Sequence, residues 1–324
     1  MARGAYRAWY ELEEELGDEL ILKTGGLDLW PPDAAIPMSD YTTSLEAHGI
    51  DFELLDAFEV MRRWPQFDMP DGVVGLWQQD GGIAPAARCN AAHINLARAH
   101  GAELLENQPV KSLRPVGDEI EVACEGSTLR CRKIVIAADA WTNNLLINFE
   151  LRLPLTVTQE QVTYFAPRRI EDFTPSRFPV WIWMDDPSFY GCPVYGEPGI
   201  KIGQDVGGRA VTPETRTFEP DKAALKRVVW FLERHIPRAL GARLYTKTCL
   251  YTMPPDRHLI IGTVPGHPNL VVLQGAAHAF KFASVIGKIA SELAIDGATT
   301  HDLQPFRIDR PRLLTPDPEA NFLI

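Results

Sequence analysis

The stretch from Asn269 to Gly287 constrains the fold of this chain more than any other. Asn269–Gln274 encloses the apolar run Leu270-Val271-Val272-Leu273, which predicts a strand, and Gly275 permits a tight turn after it. From about His278 to Ala294 the apolar residues fall at helical spacing, with Phe282, Ile286, Ile289 and Leu293 as the expected buried stripe. Strand, glycine and helix in that order form the unit of an α/β fold. The helix's unpaired N–H groups and positive dipole end then face whatever lies beyond the turn. A second run, Lys133-Ile134-Val135-Ile136-Ala137, is apolar without alternation, as expected of a parallel strand covered on both faces.

The rest of the chain changes style more than once. Tyr6, Trp9, Leu12 and Leu16 predict an opening amphipathic helix, and Leu27-Asp28-Leu29 a short alternating strand. Residues 33–80 read as mixed helix and loop. Pro85–His100 is helical, with proline in the first turn and Gly101 placed to end it. Strands are expected at Val110–Leu113, Glu119–Ala123, Leu259–Ile261 and Leu270–Leu273, and a helix at Lys222–His235. Residues 151–205 alternate aromatic and β-branched stretches with turn residues, the pattern of a mostly antiparallel sheet. The expected fold is α/β (α+β overall), with two interleaved domains. Residues 1–20, 81–150 and 245–324 form one, an incomplete Rossmann-like domain, and 21–80 and 151–244 the other, the sheet-rich domain.

Composition narrows the function classes. A net charge of −11 repels a polyphosphate backbone, which argues against nucleic acid as a partner. No run approaches the length of a membrane-spanning helix, and the first residues do not form a secretion signal. Cys89, Cys124, Cys131, Cys192 and Cys249 are odd in number and lack CxxC spacing. They predict neither a disulfide framework nor a metal site, and they suit a reducing cytoplasm.

The small residues Gly275, Ala276 and Ala277 let a flat ligand approach the backbone closely. That suits the pyrimidine end of a flavin, which becomes anionic on reduction. Three motifs sharpen this: Thr248-Cys249-Leu250-Tyr251-Thr252, Pro255-Asp256-Arg257-His258-Leu259-Ile260-Ile261 and His278-Ala279-Phe280-Lys281-Phe282-Ala283-Ser284. Together with Asp302–Phe306, Arg310-Pro311, Gly199–Gly203, Tyr190-Gly191, Ile134–Trp141, Trp9–Glu13 and Lys23-Thr24-Gly25, they resemble the monomeric sarcosine oxidase and N-methyltryptophan oxidase family, which is D-amino acid oxidase-like. The resemblance covers nearly the whole chain.

It implies FAD as cofactor, joined at its 8α-methyl carbon to the sulfur of Cys249. Gly275, Ala276, Ala277, His278, Ala279, Phe280 and Lys281 would hold the flavin. Lys281 would also pair with the substrate carboxylate. Tyr251 and Tyr190 would line the site, and Lys201 would help dioxygen accept its first electron. By alternation, Lys201, Gly203 and Asp205 share one strand face and Ile200 and Ile202 the other. The implied reaction is oxidation of a secondary amine or N-methyl amino acid, giving imine or aldehyde and hydrogen peroxide. No general base is assigned. The alternatives are a non-catalytic remnant that binds no flavin, and a flavin dehydrogenase that passes electrons to a protein or quinone.

The chain also departs from the family. Asp205 stands where the family has a histidine, where it would repel a carboxylate or pair with the substrate amine. Asp139 stands where glycine is common, a place aspartate tolerates in the left-handed region. Ala277 and Ala279 replace glycines. None of the 24 glycines has another two positions away, so the G-x-G-x-x-G fingerprint is absent. The expectation is a chain lacking the N-terminal dinucleotide-binding unit, through a recorded start downstream of the true one or a truncated gene.

Overall fold

The computed structural model describes residues 1–323, which divide into two compact units built from alternating stretches of chain. The first unit comprises Met1–Leu20, Ala84–Val157 and Leu250–Phe322, and the second Ile21–Ile83 and Thr158–Cys249 together with Leu323. Followed along the chain, α1 (Ala2–Leu16) opens the first unit. The second begins with β1 (Leu22–Lys23), β2 (Gly26–Trp30), α2 (Met38–Ala47), β3 (Glu53–Asp56), α3 (Ala57–Arg63), β4 (Val74–Gln78) and β5 (Gly82–Ile83). Then come α4 (Ala86–Ala99), β6 (Val110–Val116), β7 (Glu119–Cys124), β8 (Thr128–Cys131), β9 (Ile134–Ile136) and α5 (Thr142–Leu146). The second unit resumes with β10 (Thr156–Ala166), β11 (Val180–Trp183), β12 (Ser188–Cys192), β13 (Ile200–Asp205), β14 (Arg209–Ala210), α6 (Lys222–His235) and β15 (Ala242–Met253). Last are β16 (Ile260–Val264), β17 (His267–Gln274), α7 (Ala283–Ile295) and α8 (Pro311–Leu314).

In the first unit β9 lies parallel to β17, which pairs antiparallel with β16, and β6, β7 and β8 form a separate meander. Val135 is 38% exposed, so β9 is not covered on both faces as its uniform apolar run predicts. Pro85 caps α4 and Gly101 takes φ 88 just beyond it, so both expected boundaries are observed. The helix expected from His278 starts later, at Ala283, after a 3₁₀ turn over Ala279–Phe282. Its buried residues include Ile289 and Leu293, while Phe282 and Ile286 are only half-buried.

The second unit is organised by a nine-stranded sheet in the order β14-β10-β13-β12-β11-β2-β4-β3, with β15 also pairing β10. Residues 33–80, read as helix and loop, contribute β3 and β4 to it. Strands β11 and β2 pair parallel, whereas β14–β10, β10–β13, β13–β12, β12–β11, β2–β4 and β4–β3 are antiparallel. One face is closed. Leu27, Leu29, Phe165, Trp181, Trp183, Phe189, Ile200 and Ile202 pack there against Phe231 and Leu232 of α6 and Val60 of α3. The Trp181 ring stacks on Phe231 at 5.4 Å and Phe189 does so at 4.5 Å. Such pairs add to burial through edge and face electrostatics. Asp221 starts α6 by accepting the Ala223 N–H, the usual role of an aspartate before a helix.

The opposite face is half-buried. Because directly paired residues share a face, Asp28, Ile182, Tyr190 and Gly203 form one row across β2, β11, β12 and β13. Next to it run Cys192, Lys201 and Tyr164. Trp30, Leu76 and Met184 close one end of this face with Tyr41 and Leu45 of α2. Among the described residues, no helix is long and apolar enough to cross a membrane, and no group of three His, Cys, Asp or Glu could hold a metal ion.

Candidate functional site

The residues singled out from the sequence fall into two groups, one in each unit. In the second unit, Lys201 and Tyr190 come together on the half-buried face of the large sheet. The Lys201 ammonium lies 5.8 Å from the centre of the Tyr190 ring, within cation–π range. Gly203 makes this possible. A Cβ there would lie 3.0 Å from Tyr190 Cζ and Oη, so the phenol occupies the space that any larger residue would fill. No carboxylate among the described residues pairs with Lys201, so its charge is not neutralised by the protein.

The same face holds several titratable groups. Burial raises the Cys192 thiol pKa, with the Lys201 charge opposing in part. Burial also raises Tyr164, whose ring packs 4.7 Å from Tyr245. Asp205 sits opposite Ser188 at the end of β13. The sequence reading passed over Asp28. It is half-buried on β2 between Ile182 and Leu76, and no described group hydrogen-bonds its carboxyl. Desolvation pushes its pKa from 3.8 to about 7. Cys249, also half-buried, lies near the end of β15, two residues before Tyr251.

In the first unit, the residues expected to hold a flavin begin at the turn after β17. Ala276 and Ala277 both lie in the left-handed region, at φ 47 and 71, a rare pair for residues with a Cβ. A Cβ on Gly275 would come 3.0 Å from that of Ala279. Ala276 itself is fully buried, so its methyl serves the core rather than the surface of the turn. Asp139 takes φ 45, in the left-handed region that aspartate tolerates. Gln274 donates its side-chain amide to the Asp139 carbonyl at 3.1 Å and so ties the two turns together. Burial raises the Asp139 pKa.

Lys281 rides on the 3₁₀ turn. Its ammonium is exposed and donates to the His278 carbonyl at 3.1 Å, while His278 in turn contacts the Arg257 carbonyl through Nε2 at 3.1 Å. The buried indole of Trp9 donates to the Lys281 carbonyl at 2.8 Å, so α1 fixes the turn that carries this lysine. Trp9 also packs 5.4 Å from His93, which contacts Ser284 at 3.1 Å.

Beside the turn opens a cavity of about 560 Å³ whose lining includes Ala137, Asp139, Leu273, Gly275, Ala279 and Phe280. Its wall is mostly apolar and mixes small residues such as Ala137, Gly275 and Ala279 with the larger Ile261, Leu273, Phe280 and Ile286. That is the space a flat aromatic ring needs to approach backbone N–H groups. The residues present therefore fit the ring end of a flavin. Tyr251, His278 and Lys281 have partners within the protein.

Comparison with known proteins bears on the whole chain. Residues 1–293 match a family model described as FAD dependent oxidoreductase. Monomeric sarcosine oxidase of Streptomyces avermitilis is 30% identical over 325 residues, 97% of this chain and 82% of that protein. N-methyl-L-tryptophan oxidase of Escherichia coli O127:H6 is 30% identical over 312 residues, 94% of this chain and 82% of that protein. Among solved structures, the open form of NikD, an unusual amino acid oxidase essential for nikkomycin biosynthesis, aligns with TM-score 0.82 at 27% identity. It covers 94% of this chain and 82% of its own.

Proposed function

The chain belongs to the family of FAD-dependent oxidoreductases, and from that premise we propose that it oxidises a secondary amine or N-methyl amino acid to an imine, with dioxygen as acceptor. The imine hydrolyses to an aldehyde, and hydrogen peroxide leaves. Bound FAD supplies the two-electron acceptor for the C–H bond beside nitrogen. The protein supplies binding, orientation and charge.

The observation that carries this reading is the unneutralised Lys201 ammonium held beside Tyr190 on the half-buried face of the large sheet. A fixed positive charge in a partly water-excluded place stabilises negative charge as it develops on dioxygen. Lys281, exposed on its 3₁₀ turn, offers an ammonium to the substrate carboxylate. Tyr190 and Tyr251 line the site. Gly275, Ala276, Ala277, His278, Ala279 and Phe280 form the backbone turn that meets the flavin ring, and the Cys249 sulfur holds the cofactor covalently. The segments 1–20, 81–150 and 245–324 serve the cofactor, and 21–80 and 151–244 the substrate.

The test is direct. Protein purified with FAD and precipitated in acid keeps its yellow colour in the pellet, and Cys249→Ala releases that colour to the supernatant. Amine-dependent peroxide formation identifies the oxidase, and its loss in Lys201→Met with retained flavin reduction assigns the lysine to the oxygen step. A colourless pellet from the unaltered protein removes the covalent link. Substrate turnover only with an artificial electron acceptor replaces the oxidase with a dehydrogenase.

A further inference from the structure

We propose that Asp28 is the counter-ion and proton acceptor for the substrate's ammonium nitrogen, an inference that rests on the amine-oxidase reading of the same sheet face. The register places Asp28 in line with Ile182, Tyr190 and Gly203. With strands about 4.8 Å apart, its Cα lies about 10 Å from that of Tyr190. Between them stands only Ile182, itself half-buried. The Tyr190 ring lies over Gly203, on the side away from Asp28. The stretch of face between carboxyl and phenol is therefore apolar, and the half-buried Ile182 in it packs against the Trp30, Leu76 and Met184 cluster.

A carboxyl flanked by Ile182 and Leu76, with no described donor for its oxygens, is costly to the fold when ionised. A cationic ligand removes that cost. The charged and titratable groups facing it from neighbouring elements are few. Strand β12 presents Tyr190 and Cys192, β13 Lys201 and Asp205, β10 Tyr164 and Glu160, and β3 Asp56. Helix α2 presents Tyr41, whereas β11 and β4 offer Ile182 and Leu76. None of them hydrogen-bonds Asp28. The other acids on this face have partners within the protein: Asp205 does, Glu160 accepts from the Thr158 hydroxyl and the Gly208 N–H, and Asp56 accepts from the Glu59 N–H.

The chemistry is a single proton transfer. A secondary amino acid arrives with its nitrogen protonated, and the lone pair must be free before the C–N bond can be oxidised. The ammonium N–H bond breaks, the proton bonds to a carboxylate oxygen of Asp28, and nitrogen keeps the electron pair. Nothing is oxidised in the step. The desolvation that raises the acid suits it to the task, because a base works best when its pKa lies near the working pH.

The test uses the FAD-loaded protein and Asp28→Asn. Two probes are used, N-methylglycine and its ether isostere methoxyacetate, which has no proton to give. Binding is followed by calorimetry from pH 6 to 9, and the carboxyl is titrated by difference infrared spectroscopy in the unaltered protein. N-methylglycine affinity is expected to rise as pH passes about 7. In Asp28→Asn it is expected to fall about tenfold or more at pH 8 and to lose that rise, as for a lost charge-assisted hydrogen bond. Methoxyacetate affinity should change less than about twofold on the same scale. Equal N-methylglycine binding and pH profile in the two proteins would overturn the assignment. So would an infrared titration of Asp28 in the ordinary carboxylate range, which needs no variant to fold. Failure of the unaltered protein to bind either probe or release peroxide from any amine would remove the oxidase reading itself.

Discussion

Replacing Asp28 by asparagine is expected to stabilise the protein, and the gain has a pH dependence that can be worked out. The carboxyl pKa moves from 3.8 to about 7 in the folded chain because burial disfavours the charge. Between those values the folded state holds a proton that the unfolded chain has released. Stability therefore falls as pH rises through the window, and the penalty is complete above about 7. About three units at about 1.4 kcal/mol each give about 4 kcal/mol. The asparagine amide and the protonated acid are both polar groups without a partner, so that cost is common to the two proteins. A net gain of about 4 kcal/mol at pH 8 follows, shrinking to about zero below pH 4. Urea unfolding followed by tryptophan fluorescence reads it well, since Trp181 and Trp183 pack in the core beneath the same sheet. The midpoint gap between the two proteins should widen steadily from pH 5 to 7 with unchanged m-values. A gap that is constant with pH, or a more stable aspartate at pH 8, would show that the carboxyl is not desolvated.

Two further outcomes are expected. The His235 ring is stacked 4.6 Å from Trp183, and burial lowers its pKa from 6.5, so the folded state resists protonation. The unfolded chain takes up that proton below about pH 6.5. The protein should therefore lose stability relative to His235→Phe as pH falls from 7 to 5, and parallel urea midpoints across that range would count against it. Arg310 forks onto Asp256 at 2.7 and 2.8 Å with side chains only 9% and 16% exposed, and it also donates to the carbonyls of His258, Leu259 and Arg307. Burial alone would raise the Asp256 pKa, but the guanidinium outweighs it and leaves it lowered. Arg310→Met strands a buried carboxylate and should cost about 3–5 kcal/mol, measurable as a lower urea midpoint. Arg310→Lys should recover little of it, because an ammonium cannot reproduce the fork.

Much of the architecture was legible where local chemistry and packing agree. Helix α6 matches its expected limits because Asp221 caps it and a basic last turn closes it. Helix α4 does so because proline opens it and glycine ends it. The start of α7 was misread because two consecutive left-handed alanines and a 3₁₀ turn lie inside an otherwise helical pattern of apolar residues. Periodicity does not register such irregularity. The parallel pairing of β11 with β2, across a long sequence separation, leaves no local trace. Alternation correctly placed Lys201 opposite the buried Ile200 and Ile202. It missed Asp28 for the same reason that it worked there: a polar residue between two leucines reads as water-facing, and only the neighbouring strands reveal how little water reaches it.

The way the chain threads back and forth also sets an order of events at the ribosome. The second unit has nearly all its residues once position 249 has emerged, so its nine strands can pair while synthesis continues. The first must hold α1 and its middle segment in waiting until α7, some 270 positions later, arrives to pack against the opening helix. Contacts so far apart close slowly, and the waiting helix exposes its Trp9 stripe to chaperones and to other nascent chains meanwhile. Poor recovery in a fast expression host should accordingly improve when elongation is slowed or chaperones are supplied, without any change to the native fold.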